Sequence, residues 1–182
     1  MGKQLTAPEY IETWRKNRVW THLEWPKHQA RLCWCADQCL GETFIDIGCA
    51  LGHSTDIMRR HRPGDWTGVD FCEGAVKDAS RLFPGIAFRF VESPEKLETL
   101  GKFDSVVCSE VIEHIKDDAA FLRELVKVAR RRVILTTPHI DAHDRGHVRI
   151  HNDKTIAALF DGRGATIEKD AVFYKIILEV GA

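Results

Sequence analysis

The chain has 182 residues, 44% of them hydrophobic and 29% charged, with a formal net charge of −1. That size and composition suit one globular domain over residues 1–182 with a substantial core. The near-zero charge argues against a strongly electrostatic nucleic-acid binder. No run approaches the ~18 apolar residues of a membrane span, and Met1-Gly2-Lys3-Gln4-Leu5 lacks an apolar signal core. The expected location is the cytoplasm.

A helix is predicted over 8–20, with Pro8 in its first turn and Thr6 as a cap. Tyr10, Ile11, Trp14 and Val19 give it a partly apolar face. Pro26 opens a second helix over 26–39, so residues 1–41 read as a helical N-terminal extension. Four of the five tryptophans (Trp14, Trp20, Trp25 and Trp34) fall there, either as packing against a sheet or as the wall of an acceptor pocket. From residue 43 onward strand and helix patterns alternate. Strands are predicted at 43–48, 66–70, 86–91, 104–109 and 131–136, and helices at 53–61, 74–82, 117–130 and 153–161. Asp117 and Asp118 at the start of the third of these helices and Arg130-Arg131-Arg132 at its end both suit a helix dipole. The basic triplet therefore reads as a solvated helix end. Two strands close the chain, over 165–168 and 171–180. Such alternation implies a parallel α/β sheet.

Six cysteines stand at 33, 35, 39, 49, 72 and 108, and reduced thiols are expected of a cytosolic protein. Cys33, Cys35 and Cys39 share a predicted helix, but residues i and i+2 of a helix face apart, which favours packing thiols over a metal site.

Ile45-Asp46-Ile47-Gly48-Cys49-Ala50-Leu51-Gly52 follows a buried strand and precedes a helix. A glycine-rich turn at that place lets a ligand touch backbone where a Cβ would collide. Asp46 would repel a pyrophosphate but suit an ammonium, and Gly48-Cys49-Ala50 lacks the G-x-G of a dinucleotide turn, so a cationic cofactor is expected. Asp70 ends the next strand, close to the roughly 20-residue offset of a ribose-binding acid.

This residue set resembles the first motif of the class I S-adenosylmethionine-dependent methyltransferases. The later stretches Phe103 to Ile115 and Val133 to Pro138 are similar to that family's fourth and fifth strands, so the resemblance runs over roughly residues 40 to 180 in order. It implies a Rossmann-like α/β sheet, mostly parallel with an antiparallel last strand placed at the sheet edge, and helices on both faces. It also implies S-adenosyl-L-methionine as cofactor. By the same resemblance Asp46, Gly48, Cys49 and Gly52 hold the methionine end, Asp46 acting toward the amino group. Asp70 takes the ribose, Phe71 packs on the adenine face, Glu92 and Ser93 meet the adenine amino group, and Ser109 lines the methyl-bearing part. A helix-capping role for Asp46 and a core role for Phe71 stay open.

Glu110-Val111-Ile112-Glu113-His114 recurs in many small-molecule methyltransferases without a metal. It is also similar to small-RNA 2′-O-methyltransferases that bind a divalent ion with two Glu, a His and a later His, here His147. The surroundings of His147 depart from that pattern, and no metal is expected. His139, His143, His147 and His151 recur every four residues, but Pro138 and Gly146 argue for a largely solvated loop rather than a helix. His114 and His139 are the candidate bases. The expected function is methyl transfer to an oxygen of a small-molecule acceptor. The alternatives are metal-dependent RNA 2′-O-methylation and a non-catalytic cofactor-binding subunit.

Overall fold

The computed structural model describes residues 6–140 and 146–181. His143 and the Tyr10 side chain, both named above, lie outside what is described.

Seven strands form one sheet in the order β3-β2-β1-β4-β5-β7-β6. They are β1 (Thr43–Ile47), β2 (Asp65–Asp70), β3 (Ala87–Phe90), β4 (Phe103–Ser109), β5 (Ala129–Pro138), β6 (Ala165–Lys169) and β7 (Phe173–Glu179). The first five run parallel, while β7 is antiparallel to both β5 and β6. The helices are α1 (Ala7–Asn17), α2 (Pro26–Asp37), α3 (His53–His61), α4 (Glu73–Leu82), α5 (Asp118–Val128) and α6 (Asp153–Phe160).

Side-chain alternation explains why both faces are covered. Ile45, Ile47, Val106, Cys108, Val133 and Leu135 turn to one face and pack with Phe121, Leu122 and Leu125 of α5. The intervening Phe44, Val107 and Ile134 turn to the other and pack with Leu32, Cys35 and Ala36 of α2 and Met58 of α3. Strands buried on both faces read as near-continuous apolar runs, which is what 44–47, 105–108 and 133–136 are.

Local chemistry sets most helix ends. Thr6 and Glu9 form a capping box at the start of α1, as do Asn152 and Thr155 at α6. The first predicted helix is shorter than expected. Arg18 takes a left-handed conformation (φ 48°), its N–H bonding back to the last carbonyls of α1, and Val19–Glu24 continues as a separate 3-10 segment. Arg15 clasps Asp78 of α4 and donates to the Gly74 carbonyl at 3.2 Å.

Two expectations are corrected. Arg130-Arg131-Arg132 is not a helix end, because α5 stops at Val128 and the triplet lies in β5. The ladder to β4 begins at Phe103↔Ala129, and its hydrogen bonds outweigh the favourable helix-end charge. Arg132 donates to the Gln38 carbonyl at 2.8 Å. Nor is the antiparallel strand the edge. β7 is mostly buried and sits between β5 and β6, whereas β6 is largely exposed and takes the edge. A strand that is apolar on both faces needs neighbours on both sides, and polar side chains suit an edge. No helix of the described residues is long and apolar enough to cross a membrane.

Candidate active site

The chain runs from β1 outward to β3 and then crosses back to β4. At such a reversal the loops leaving β1 and β4 diverge, opening a crevice at the carboxyl ends of the strands. Here that crevice is a cavity of about 680 Å³, lined by the ends of β1, β2 and β4, the loop after β3, residues of β5 and β7, and a cover of α1, α2 and the 3-10 segment between them.

The turn after β1 is built from backbone. The Gly48 and Cys49 N–H groups both donate to the Val69 carbonyl, at 2.8 and 2.9 Å. Gly48 (φ +83°) lines the cavity, and any Cβ there would overlap Val111 Cγ2. Ala50 is held at φ 47°, an uncommon conformation for a residue with a side chain. Asp70 braces it: Oδ2 accepts the Ala50 N–H at 2.9 Å and Oδ1 the Cys72 N–H at 2.8 Å. Asp70 is nearly buried and on the cavity wall. Burial pushes its carboxyl above the usual range, and those backbone donors oppose the push.

Cys49, Phe71, Glu92, Ser93 and Ser109 also reach the wall. Phe71 stands edge-on to Phe121, centroids 6.3 Å apart, and the Ser109 hydroxyl shares a 2.8 Å hydrogen bond with Thr136. Two expected cofactor contacts are not on the wall. Asp46 lies behind the turn, 2% exposed, where its Oδ2 accepts from the Ser54 and Thr55 hydroxyls at 3.0 and 2.6 Å. It fastens the start of α3, and burial drives its carboxyl up to about 6. Gly52 caps α3 at φ +84°, and a Cβ there would come within 2.7 Å of Phe88 Cζ. It is a packing glycine.

The Glu110-to-His114 string leaves β4 through a strained residue. Glu110 has φ 59°, a cost that functional sites often carry. Its N–H donates to the Thr136 carbonyl at 2.9 Å and its Oε1 accepts from the Thr136 hydroxyl at 3.2 Å. Its Oε2 lies 3.0 Å from Arg31 Nη1 of α2. Glu113 is 1% exposed, and Oε2 accepts from Thr137 at 3.1 Å. Burial, with Glu110 nearby, holds its carboxyl well above the ordinary value. The His147 Nε2 lies 3.9 Å from Glu113 Oε1, and the His114 and His147 rings meet edge-on at 4.8 Å. Among the described residues, Glu113, His114 and His147 form the one cluster with metal-ligand spacing, all within 4.8 Å of one another. Glu110 is not part of it.

The histidine loop differs from expectation. His147 and His151 are not solvated: their side chains are 11% and 1% exposed. His139 lies off the cavity wall, with Nε2 at 2.9 Å from the Asp170 carbonyl and its ring against Tyr174. Of the two candidate bases, His114 alone lines the cavity.

The sequence did not single out the groups that α2 and β7 supply. Arg31, 3% exposed, lies with its guanidinium over the Phe173 ring at 4.8 Å. His28 packs against His22 and Phe173, and burial with Arg31 nearby lowers its pKa to about 3. The one available signal was their placement on the same face as the buried Leu32 and Cys35. The tryptophans divide: Trp14 and Trp25 line the cavity, whereas Trp20 stacks on His53 and Trp34 packs against the core beneath α2.

Residues 45–136, just over half of the chain, match the model of a family described as a methyltransferase domain. A ubiquinone biosynthesis O-methyltransferase of Pseudomonas paraeruginosa is 34% identical over 88 residues, covering 46% of this chain and 38% of the relative. A 2-methyl-6-phytyl-1,4-hydroquinone methyltransferase of Synechocystis is 28% identical over 114 residues, covering 61% of this chain and 36% of the relative. The matches thus span less than half the length of these two relatives. Among solved structures, an O-methyltransferase family protein from Burkholderia thailandensis superposes with a TM-score of 0.75 at 10% identity, over 97% of this chain and 61% of that one. The magnesium protoporphyrin IX methyltransferase of Synechocystis, crystallised with bound SAM, gives 0.64 at 16% identity, over 99% and 87%. At those identities the superpositions speak for the fold. The family match covers the ends of β1, β2 and β4 and the loop after β3, all of which line the cavity, and this chain belongs to the methyltransferase domain family, among the class I S-adenosylmethionine-dependent methyltransferases.

Proposed function

We propose that the chain transfers a methyl group from S-adenosyl-L-methionine to an oxygen of a small, largely aromatic or apolar molecule. One observation carries this reading: a single cavity joins the backbone turn at Gly48–Ala50 and the Asp70 carboxylate to a chamber walled by Trp14, Trp25 and Phe173. When bound, the cofactor supplies an activated methyl group on a sulfonium. The chain's own residues do the rest. Asp70 is placed to accept from ribose hydroxyls, and the bare backbone at Gly48 lets the methionine portion approach. Phe71, Glu92 and Ser93 would border the adenine, and Cys49 and Ser109 the part between. The aromatic walls orient the acceptor and exclude water, and His114 is placed to take the hydroxyl proton as the new bond forms. Similarity to quinone-pathway O-methyltransferases supports oxygen as the acceptor atom.

Residues 1–41 belong to the same domain in this reading, since α1 and α2 close the cavity. The six thiols are all free, five of them buried, which suits a reducing compartment, and we place the protein in the cytoplasm. The test is incubation of the purified chain with methyl-labelled cofactor and a panel of phenols, amines and thiols. Label on phenolic oxygen is expected. Label confined to nitrogen, sulfur or carbon would overturn the choice of oxygen.

The convergence of Glu113, His114 and His147 favours a second reading, in which these three hold a divalent transition metal that activates the acceptor hydroxyl. Two imidazoles and a carboxylate suit such an ion. The Glu113 carboxyl would have to give up the proton that burial favours. Turnover that survives chelation supports direct transfer. Turnover lost to chelator and restored by Mn²⁺ or Co²⁺ establishes the metal.

A further inference from the structure

α2 turns toward the cavity a set of groups that methyl transfer itself does not use. Lys27, His28 and Arg31 all line it, and positions 27, 28 and 31 lie on one helical face. Arg31 is 3% exposed. Its Nη1 stands 3.0 Å from Glu110 Oε2, yet neither Nη1 nor Nε is aligned on a hydrogen-bond acceptor. His28 Nδ1 is likewise buried without a hydrogen-bond partner. A guanidinium carries five N–H donors in a planar fork that matches the two oxygens of a carboxylate. One off-axis carboxylate oxygen leaves that fork largely unmet in a place where unmet charged donors are costly. Phe173 lies under the guanidinium at 4.8 Å and the Lys27 ammonium over Trp25 at 5.6 Å. Two cations among aromatic rings thus face the Glu110 carboxylate, and the Glu113 carboxyl that shares the wall is held well above its ordinary value by burial.

The place of this cluster matters as much as its chemistry. Glu110 directly follows β4 and Phe173 begins β7, whereas the ribose-facing Asp70 ends β2, on the other side of β1. The cluster therefore stands over the acceptor end of the cavity.

We propose that Arg31, assisted by His28 and Lys27, is a carboxylate-binding subsite for the acceptor. The acceptor then carries a carboxylate at one end of an aromatic or apolar body and the methyl-accepting oxygen at the other. This rests on the reading of the α2 half of the cavity as the acceptor chamber. The amino-acid carboxylate of the cofactor offers the same chemistry, so the experiment must separate the two sources.

Binding, which needs no turnover, makes that separation. The full chain saturated with S-adenosylhomocysteine is titrated calorimetrically near neutral pH with 4-hydroxybenzoate and, separately, 4-hydroxybenzamide. The acid should bind at least about 10-fold tighter than the amide, the scale of one charge-assisted contact. Arg31→Met should reduce that preference to about 2-fold or less while leaving S-adenosylhomocysteine affinity unchanged. Because Arg31→Met strands the Glu110 charge, the double variant Arg31→Met/Glu110→Gln is measured beside it and should lose the same preference. Equal affinity for acid and amide, or binding of neither by the loaded wild type, overturns the proposal. So does a result in which Arg31→Met weakens S-adenosylhomocysteine but not 5′-methylthioadenosine, which lacks the amino-acid carboxylate. Arg31 would then hold the cofactor. If the acid preference and its Arg31 dependence appear while no phenol is methylated, the subsite stands and the oxygen-transfer reading fails.

Discussion

Asp70→Asn separates two jobs that one side chain carries. Each carboxylate oxygen accepts one backbone N–H, Oδ2 from Ala50 and Oδ1 from Cys72. Asn has the same outline, but its NH₂ end must face one of those two donors. A buried backbone N–H then loses its acceptor, at about 1–3 kcal/mol. If the Ala50 N–H is the one stranded, the turn also loses the bond that holds Ala50 at φ 47°. The second job is toward the cavity. A carboxylate accepting from a ribose hydroxyl gives a charge-assisted bond of about 1.5–3 kcal/mol, so its loss should raise the S-adenosylhomocysteine Kd by roughly 10- to 150-fold. Urea unfolding of the ligand-free chain reads the first job and calorimetric titration the second. Reduced stability with a Kd within about 2-fold of wild type would refute the ribose role and leave Asp70 as a turn brace only. An unaltered unfolding curve would instead refute the bracing geometry.

Gly48→Ala should destabilise the fold by about 2–5 kcal/mol, combining left-handed backbone strain with overpacking against Val111. Adding Val111→Ala should return the overpacking share, and urea titrations showing no such recovery would count against that contact. Burial lifts the Asp46 carboxyl to about 6, above its unfolded value near ~3.9. The folded state thus binds the proton more tightly, so this contribution is fully present below about pH 4 and is lost as pH rises through about 6. Asp46→Asn keeps an oxygen for Ser54 and Thr55, and its stability relative to wild type should improve by about 2–3 kcal/mol between about pH 4 and pH 7. The same difference at both pH values would refute it. His114→Ala should lower turnover about 10²–10⁴-fold with S-adenosylhomocysteine affinity intact, whereas His139→Ala, bonded to the Asp170 carbonyl away from the cavity, should stay near wild type. Equal losses would restore His139 as a base.

Much of the fold was legible because its determinants are local. Apolar runs such as Phe44–Ile47 and Val133–Leu135 and the capping residues around Thr6 and Asn152 act within a few residues of themselves, so strand and helix alternation could be read directly. Gly48 is similarly local, since a left-handed strand-to-helix turn excludes a Cβ wherever it occurs. Reading failed where a local preference met a distant partner. Arg130-Arg131-Arg132 suits a helix end by charge, but the β4 ladder extends it into a strand. For Asp46 the sequence left two roles open, a ligand-binding acid and a helix-start brace, and in the structure its Oδ2 takes the Ser54 and Thr55 hydroxyls at the start of α3.

The sequence by itself determined that this chain builds a parallel sheet with a cofactor-type turn after its first strand, because glycine conformation and hydrophobic period are properties of short segments. Only the tertiary structure decided which groups share the cavity. Arg31 and Glu110 are 79 positions apart and meet at 3.0 Å, and the Arg31 guanidinium lies 4.8 Å from the ring of Phe173, 142 positions away. Such pairs have no spacing rule, since the strand order and the crossing of α2 over β4 set their separation, and a one-dimensional pattern does not contain that geometry.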